Sequence, residues 1–186
     1  IKGENYLFRT HANKFISTRE GRGTKEVYEY TMEMLNKKYD LNTLTFGMIN
    51  YEWIEHLAAD LRKKLKVNSV SIHLRNIRAI FKNATKKKLV SRDLYPFEDY
   101  SIRNEETAHR TITVEDIRTL RDYEVEPHQI PYRDLFLLQF YLIGVNAVDI
   151  LTATKSNIHK GRFEYRRAKT GKSFTASILE MLCFVI

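Results

Sequence analysis

At 186 residues, with 43% hydrophobic and 29% charged side chains, the chain carries enough apolar material for one large or two small folded domains. A formal net charge of +8 and a pI near 9.5 favour a polyanionic partner, nucleic acid ahead of an anionic membrane surface. No apolar run approaches the roughly 18 residues of a membrane-spanning helix, and the single cysteine, Cys183, excludes an internal disulfide and fits a reducing compartment.

Four helices are predicted first. Residues 5 to about 20 place Leu7, Phe8, His11 and Phe15 at helical spacing and end at the breaker Gly21-Arg22-Gly23. Thr24 reads as the N-cap of a second helix with Val27, Tyr28, Met32 and Leu35 on one face. A third, from about 50 to 64, is expected to bury Trp53, Ile54, Leu57 and Leu61. Asn68 or Ser69 caps the fourth, whose Val70, Leu74, Ile77, Phe81 and Ala84 are spaced 4, 3, 4, 3.

From 91 to 111 the apolar rhythm fails, and Pro96, Asp99, Ser101 and Asn104 mark a linker, bounded here as 101–111 after a domain at 1–100. Thr113 with Asp116 reads as another helix start. Pro131 sits like a first-turn proline before a helix expected to be buried through Leu135, Phe136, Leu138, Phe140 and Leu142. A short helix from 147 to 151 follows. Residues 162–167 and 173–178 then alternate like two strands about a Lys169-Thr-Gly-Lys turn.

Charge is unevenly placed. Between Leu61 and Arg92 stand eleven lysines and arginines and no acid. On the fourth helix Ser71, Arg75, Arg78, Lys82 and Lys86 recur at helical spacing beside the apolar stripe. Most charge runs are solvated helix faces, but those interleave acids; a wholly basic one points to phosphates and base edges. Ser69 lies at the head of the same helix, and Thr24 and Lys25 at the second helix start are candidates to meet a phosphate through free backbone N–H groups. The six histidines show no metal-ligand spacing, and no phosphate-binding glycine loop or serine nucleophile elbow is present, so neither metal nor cofactor is expected.

A helical module ending in a basic fourth helix, followed by FLLQFYLIGVNAVDILTATKSNI (136–158) and GRFEYRRAKTGKS (161–173), resembles the tyrosine recombinases, or phage-type integrases, and particularly those of Bacteroides-type mobile elements. The resemblance implies a mainly α fold: a four-helix SAM-like core-binding domain, then an α-rich catalytic domain with a β-hairpin, begun at 112–186 and incomplete. It implies two domains that close around double-stranded DNA, and a tyrosine that attacks the scissile phosphodiester to leave a 3′-phosphotyrosine. It makes Lys169 the proton donor to the leaving oxygen and Asp149 the acidic residue three positions past the first catalytic arginine. Here Asn146 stands in that arginine's place, and Ile143 occupies the alternative position before Gly144. Asn146 and Asp149 read equally well as a helix cap. None of the eleven tyrosines follows the hairpin, so the chain is expected to be inactive alone.

The implied setting is the bacterial cytoplasm, at the nucleoid. The full-length protein is implied to be a tetramer on paired sites, and the present piece is compatible with a monomer. A non-enzymatic DNA-binding remnant is the alternative, favoured by the missing arginine; a protein- or RNA-binding helical module is the third reading.

Overall fold

The computed structural model describes residues 1–108 and 111–178. Cys183 and the apolar run at 182–186 lie outside the described residues, as do two positions of the expected linker, 109 and 110. The chain divides into two compact units, Ile1–Ala108 and His109–Ile186.

The first unit holds α1 (Phe8–Ser17), α2 (Arg22–Asn36), α3 (Tyr51–Arg62) and α4 (Val67–Lys86). Each exists because its apolar residues fall on one face. On α4 all five residues of the 4, 3, 4, 3 series are buried, together with Ile80. Burying each such large side chain is worth about 1.5–3 kcal/mol. The connection between α2 and α3 is also core: Leu41, Leu44, Phe46 and Ile49 are buried. It is tied to the start of the chain, where Phe46 N–H donates to Tyr6 O at 3.0 Å and Phe8 N–H to Leu44 O at 3.0 Å. Phe46 sits at the centre of the aromatic packing, edge-on to Phe8 and Phe81 and stacked on Tyr6.

Two helix starts differ from expectation. Gly21, not Thr24, is the cap of α2, and Lys66, not Asn68 or Ser69, the cap of α4; neither cap makes a side-chain hydrogen bond. Gly23, part of the expected breaker, lies inside the first turn of α2. By contrast Asn50 caps α3 through Trp53 N–H at 2.8 Å.

Inside the unit, Thr31 on α2 meets His73 and Asn76 on α4. Thr31 Oγ1 lies 3.0 Å from His73 Nδ1 and accepts from Asn76 Nδ2 at 2.8 Å, and Asn76 also donates to Val27 O at 3.1 Å. All three side chains are buried. Polar groups so placed are tolerable only because they satisfy one another.

The second unit has α5 (Val114–Asp122), α6 (Ile130–Tyr141), α7 (Ala147–Leu151) and a three-stranded antiparallel sheet, β1 (Ile158–His159), β2 (Arg162–Arg166) and β3 (Ser173–Ser177), in the order β1-β2-β3. Thr113 and Asp116 form a capping box at α5. The β2–β3 pair is the expected hairpin, with Arg166 opposite Ser173 and Phe163 opposite Ala176. Strand β1 is an addition. It pairs Ile158 with Phe163 across the two-residue turn Lys160-Gly161, both at positive φ (47° and 74°), the conformation that matches strand twist. The small core comprises Leu142, Val145, Phe163 and Ala176.

The expectation of a buried α6 holds in part: Leu142 at its C-terminal end is buried and Leu135 and Leu138 are half-buried, but Phe136 and Phe140 are exposed, and within the helix itself Leu137 is the buried residue. Within the second unit the helix packs against α5 and α7, and its Leu138 packs on the small core.

Candidate nucleic-acid interface

The basic stripe of α4 divides into two halves with different surroundings. In the N-terminal half the chain that leaves the unit returns along the helix. The side-chain amide of Asn68 holds Glu105 at both backbone groups, donating to its carbonyl at 2.9 Å and accepting from its N–H at 3.0 Å. One turn on, the Ser71 hydroxyl reaches Arg103 O, and one turn further the Arg75 guanidinium meets the side-chain carbonyl of Asn104. Residues 68, 71 and 75 share a face, so three successive linker residues are gripped by one helix surface.

This corrects the sequence reading of Ser71. It is buried, with its hydroxyl also 3.0 Å from Val67 O, and is not part of an exposed stripe. Ser69 is half-buried in the first turn. Arg75 is exposed but already engaged by Asn104.

In the C-terminal half Lys82 and Lys86 are exposed and Arg78 is half-buried. With Thr85 they form one wall of a cleft of about 690 Å³, and Arg92, Tyr95, Phe97 and Glu98 form the other. The second wall comes from the segment read as linker, which packs on the core: Phe97 is buried and Leu94, Tyr95 and Tyr100 pack beside it. The Lys82 ammonium lies 5.9 Å from the centre of the Tyr95 ring. Burial pushes the Tyr95 hydroxyl above the usual phenol range, opposed by the nearby Arg78 charge. Arg92 pairs with Glu98 at 3.1 Å on an exposed rim. Among the described residues, Arg78, Lys82 and Lys86 have no carboxylate partner. Sequence reasoning missed Arg92 and Tyr95; the signal available was the aromatic density of 94–100, too high for a solvated linker.

At the start of α2, Thr24 is exposed in the first turn, but Lys25 N–H is bonded to Gly21 O at 3.0 Å. Its amide is therefore unavailable to a phosphate. The first-turn amides without a preceding-turn carbonyl are those of Arg22, Gly23 and Thr24.

In the second unit Lys169 is exposed in the turn between β2 and β3. The turn is internally fixed: Arg167 N–H donates to Lys172 O at 2.8 Å, Gly171 N–H to Arg167 O at 2.8 Å, and Gly171 takes φ 67°. Asp149 on α7 is buried, and its Oδ1 accepts from Ala168 N–H at 2.8 Å, next to Lys169 in the chain. Its Oδ2 is buried without a hydrogen-bond partner among the described residues. The fold thus brings Asp149 to the turn that carries Lys169. Asn146 is exposed at the N-cap of α7; its backbone carbonyl accepts from Asp149 N–H at 3.0 Å, while its side chain makes no capping bond. Residues 155–172 hold seven lysines and arginines against the single acid Glu164.

Among the described residues no group of three or more His, Cys, Asp or Glu side chains is placed to hold a metal ion, and no helix is long and apolar enough to cross a membrane.

Comparison with known structures places this architecture. The crystal structure of a lambda integrase tetramer bound to a Holliday junction is 14% identical, with a TM-score of 0.74 over 95% of this chain and 52% of that one. A lambda integrase dimer bound to a COC′ core site is 12% identical, with a TM-score of 0.70 over the same shares. At these identities the likeness is one of fold, and the chain spans about half the length of the lambda integrase chains. No curated protein sequence matches it. The family model of the phage integrase SAM-like domain matches residues 6–102, more than half of the chain. Since that match runs through all four helices of the first unit and the segment packed beneath them, the chain belongs to the phage integrase SAM-like domain family.

Proposed function

We propose that this chain binds duplex DNA, the first unit acting as a core-binding module and the second as the N-terminal part of a tyrosine-recombinase catalytic domain. The observation that carries the proposal is the acid-free cationic surface of α4, where Arg78, Lys82 and Lys86 have no carboxylate partner among the described residues. Such a surface is electrostatically costly unless an anion meets it, and a phosphate backbone releases bound counterions when it does. The lambda integrase structures of similar fold are bound to a Holliday junction and to a COC′ core site, which supports the same class of partner here.

In the full-length protein the proposed chemistry is cleavage and rejoining. A tyrosine oxygen forms a bond to phosphorus as the bond to the 5′ oxygen breaks, and Lys169 supplies the proton that the leaving oxygen takes up. Asp149 is a positioning residue in this scheme, since it holds the backbone beside Lys169. The reverse attack by a 5′-hydroxyl rejoins the strand. Full-length protein is proposed to act as a tetramer on paired sites in the bacterial nucleoid.

A non-enzymatic DNA-binding role is favoured by one observation. Asn146 is neutral and exposed where the resemblance calls for an arginine, and an amide cannot replace a bidentate guanidinium on a phosphate. Binding is tested by fluorescence anisotropy on labelled duplex across a salt series. Affinity falling steeply with salt is expected; a flat dependence, or equal affinity for an unrelated RNA, overturns duplex recognition.

A further inference from the structure

We propose that the cleft between the C-terminal half of α4 and the 92–98 segment is the seat for consecutive phosphates of one duplex strand, with Arg92 and Tyr95 as binding residues. The inference rests on the duplex-binding reading and narrows it to a place. Arg78, Lys82 and Lys86 follow one another along α4 at four-residue steps, each a rise of about 6 Å. That is the order of the step between neighbouring phosphates along a strand. Arg92 faces them from the opposite wall, so the cleft of about 690 Å³ is charged from two sides. Tyr95 lines the same wall as Arg92, with Arg78 and Lys82 nearby, and phenol hydroxyls are regular phosphate donors.

The competing half of the helix is already occupied. Asn68 and Ser71 are engaged by residues 103–105, and Arg75 is anchored to Asn104 through one of its guanidinium nitrogens, so this half of the helix is partly covered by the linker. Among the described residues the only acid lining the cleft is Glu98, on the exposed rim, where it holds Arg92. An arriving phosphate competes with the Glu98 carboxylate for Arg92. Glu98 therefore opposes binding, and this gives the proposal a test whose sign a folding defect does not imitate.

The experiment is anisotropy on a labelled duplex with the whole chain, as a function of salt. Lys82→Gln and Arg92→Gln are each expected to reduce the slope of log affinity against log salt by about 1. Arg75→Gln is expected to change it by less than half of that, and Tyr95→Phe to weaken binding severalfold with the slope retained. Glu98→Gln is expected to tighten binding severalfold. A steep wild-type slope that Arg75→Gln reduces and Lys82→Gln and Arg92→Gln leave unchanged overturns the cleft while duplex binding stands. Weaker binding by Glu98→Gln overturns it as well. A flat wild-type slope removes duplex binding, and the cleft with it.

Discussion

The carboxylate of Asp149 accepts a hydrogen bond from the backbone N–H of Ala168 at 2.8 Å, joining α7 to the turn that presents Lys169. The two residues are nineteen apart in sequence, and the contact is partly buried. Replacing Asp149 with alanine strands the Ala168 amide, a loss of about 1–3 kcal/mol to the local structure. Amide hydrogen exchange at Ala168 is expected to accelerate in Asp149→Ala and to be largely restored in Asp149→Asn, which keeps the accepting oxygen. Unaltered exchange in the alanine variant would show that the turn holds its shape without α7.

The buried histidines make stability depend on pH. Burial lowers the pKa of His73; at His11 burial also dominates, resisted by the hydrogen bond to Asn83 and assisted by Lys87 and Lys14. The unfolded chain therefore takes up these protons at higher pH than the folded one. The stability contributed by the neutral rings is fully present above the unfolded value of about 6.5 and declines as pH falls through it toward the folded values. Urea midpoints are expected to be level from pH 8 to 7 and to fall between 6.5 and 5, with a smaller fall in His73→Gln. A midpoint that rises over that window contradicts the assignment.

Ile143 closes α6 with φ 59°, a left-handed conformation that a β-branched side chain adopts only under strain, and it is 78% exposed. Removing the side chain costs almost no burial. Ile143→Gly is expected to stabilise the second unit by about 1 kcal/mol, read as a higher thermal midpoint. A lower midpoint would mean that the side chain contributes packing that outweighs the backbone strain.

The grip of α4 on the linker is open to proteolysis. Trypsin cleaves after Arg103, whose carbonyl is held by Ser71, with Glu105 two residues on held by Asn68. Cleavage there is expected to be severalfold faster in Asn68→Ala at native conditions, with the melting temperature little changed, because the bonds lost are largely exposed. Equal rates would show that the linker is not retained on the helix.

Periodicity was sufficient for α4, whose buried face coincides with the apolar series, and for α5, whose cap and box were both readable at Thr113 and Asp116. It failed where burial comes from tertiary contact instead of regular spacing. Leu41, Leu44, Phe46 and Ile49 are core without forming a helix, and Tyr95 and Phe97 belong to a segment that Pro96 and its acids made look like solvent-exposed chain. The cationic stripe was legible as a set of residues, but its division was not. Ser71 and Arg75 look equivalent to Lys82 in helical projection, and only the return of residues 103–105 separates them. The turn at Lys169 was legible from strand alternation, while its support by Asp149 depends on a pairing across nineteen residues that no local pattern encodes.

The trio Thr31, His73 and Asn76 has a mechanical consequence for the surface it underlies. Sliding α2 past α4 by a single turn, about 5.4 Å, would leave Thr31 its own-helix bond to Val27 O but strand His73 and Asn76 in an apolar interior. Each stranded group costs about 1–3 kcal/mol, so neighbouring alignments of the two helices are closed to the chain even where their hydrophobic faces would tolerate them. The trio works as an indexing pin, and the lysines and arginines on the far side of α4 are held in a fixed frame by residues that never meet solvent.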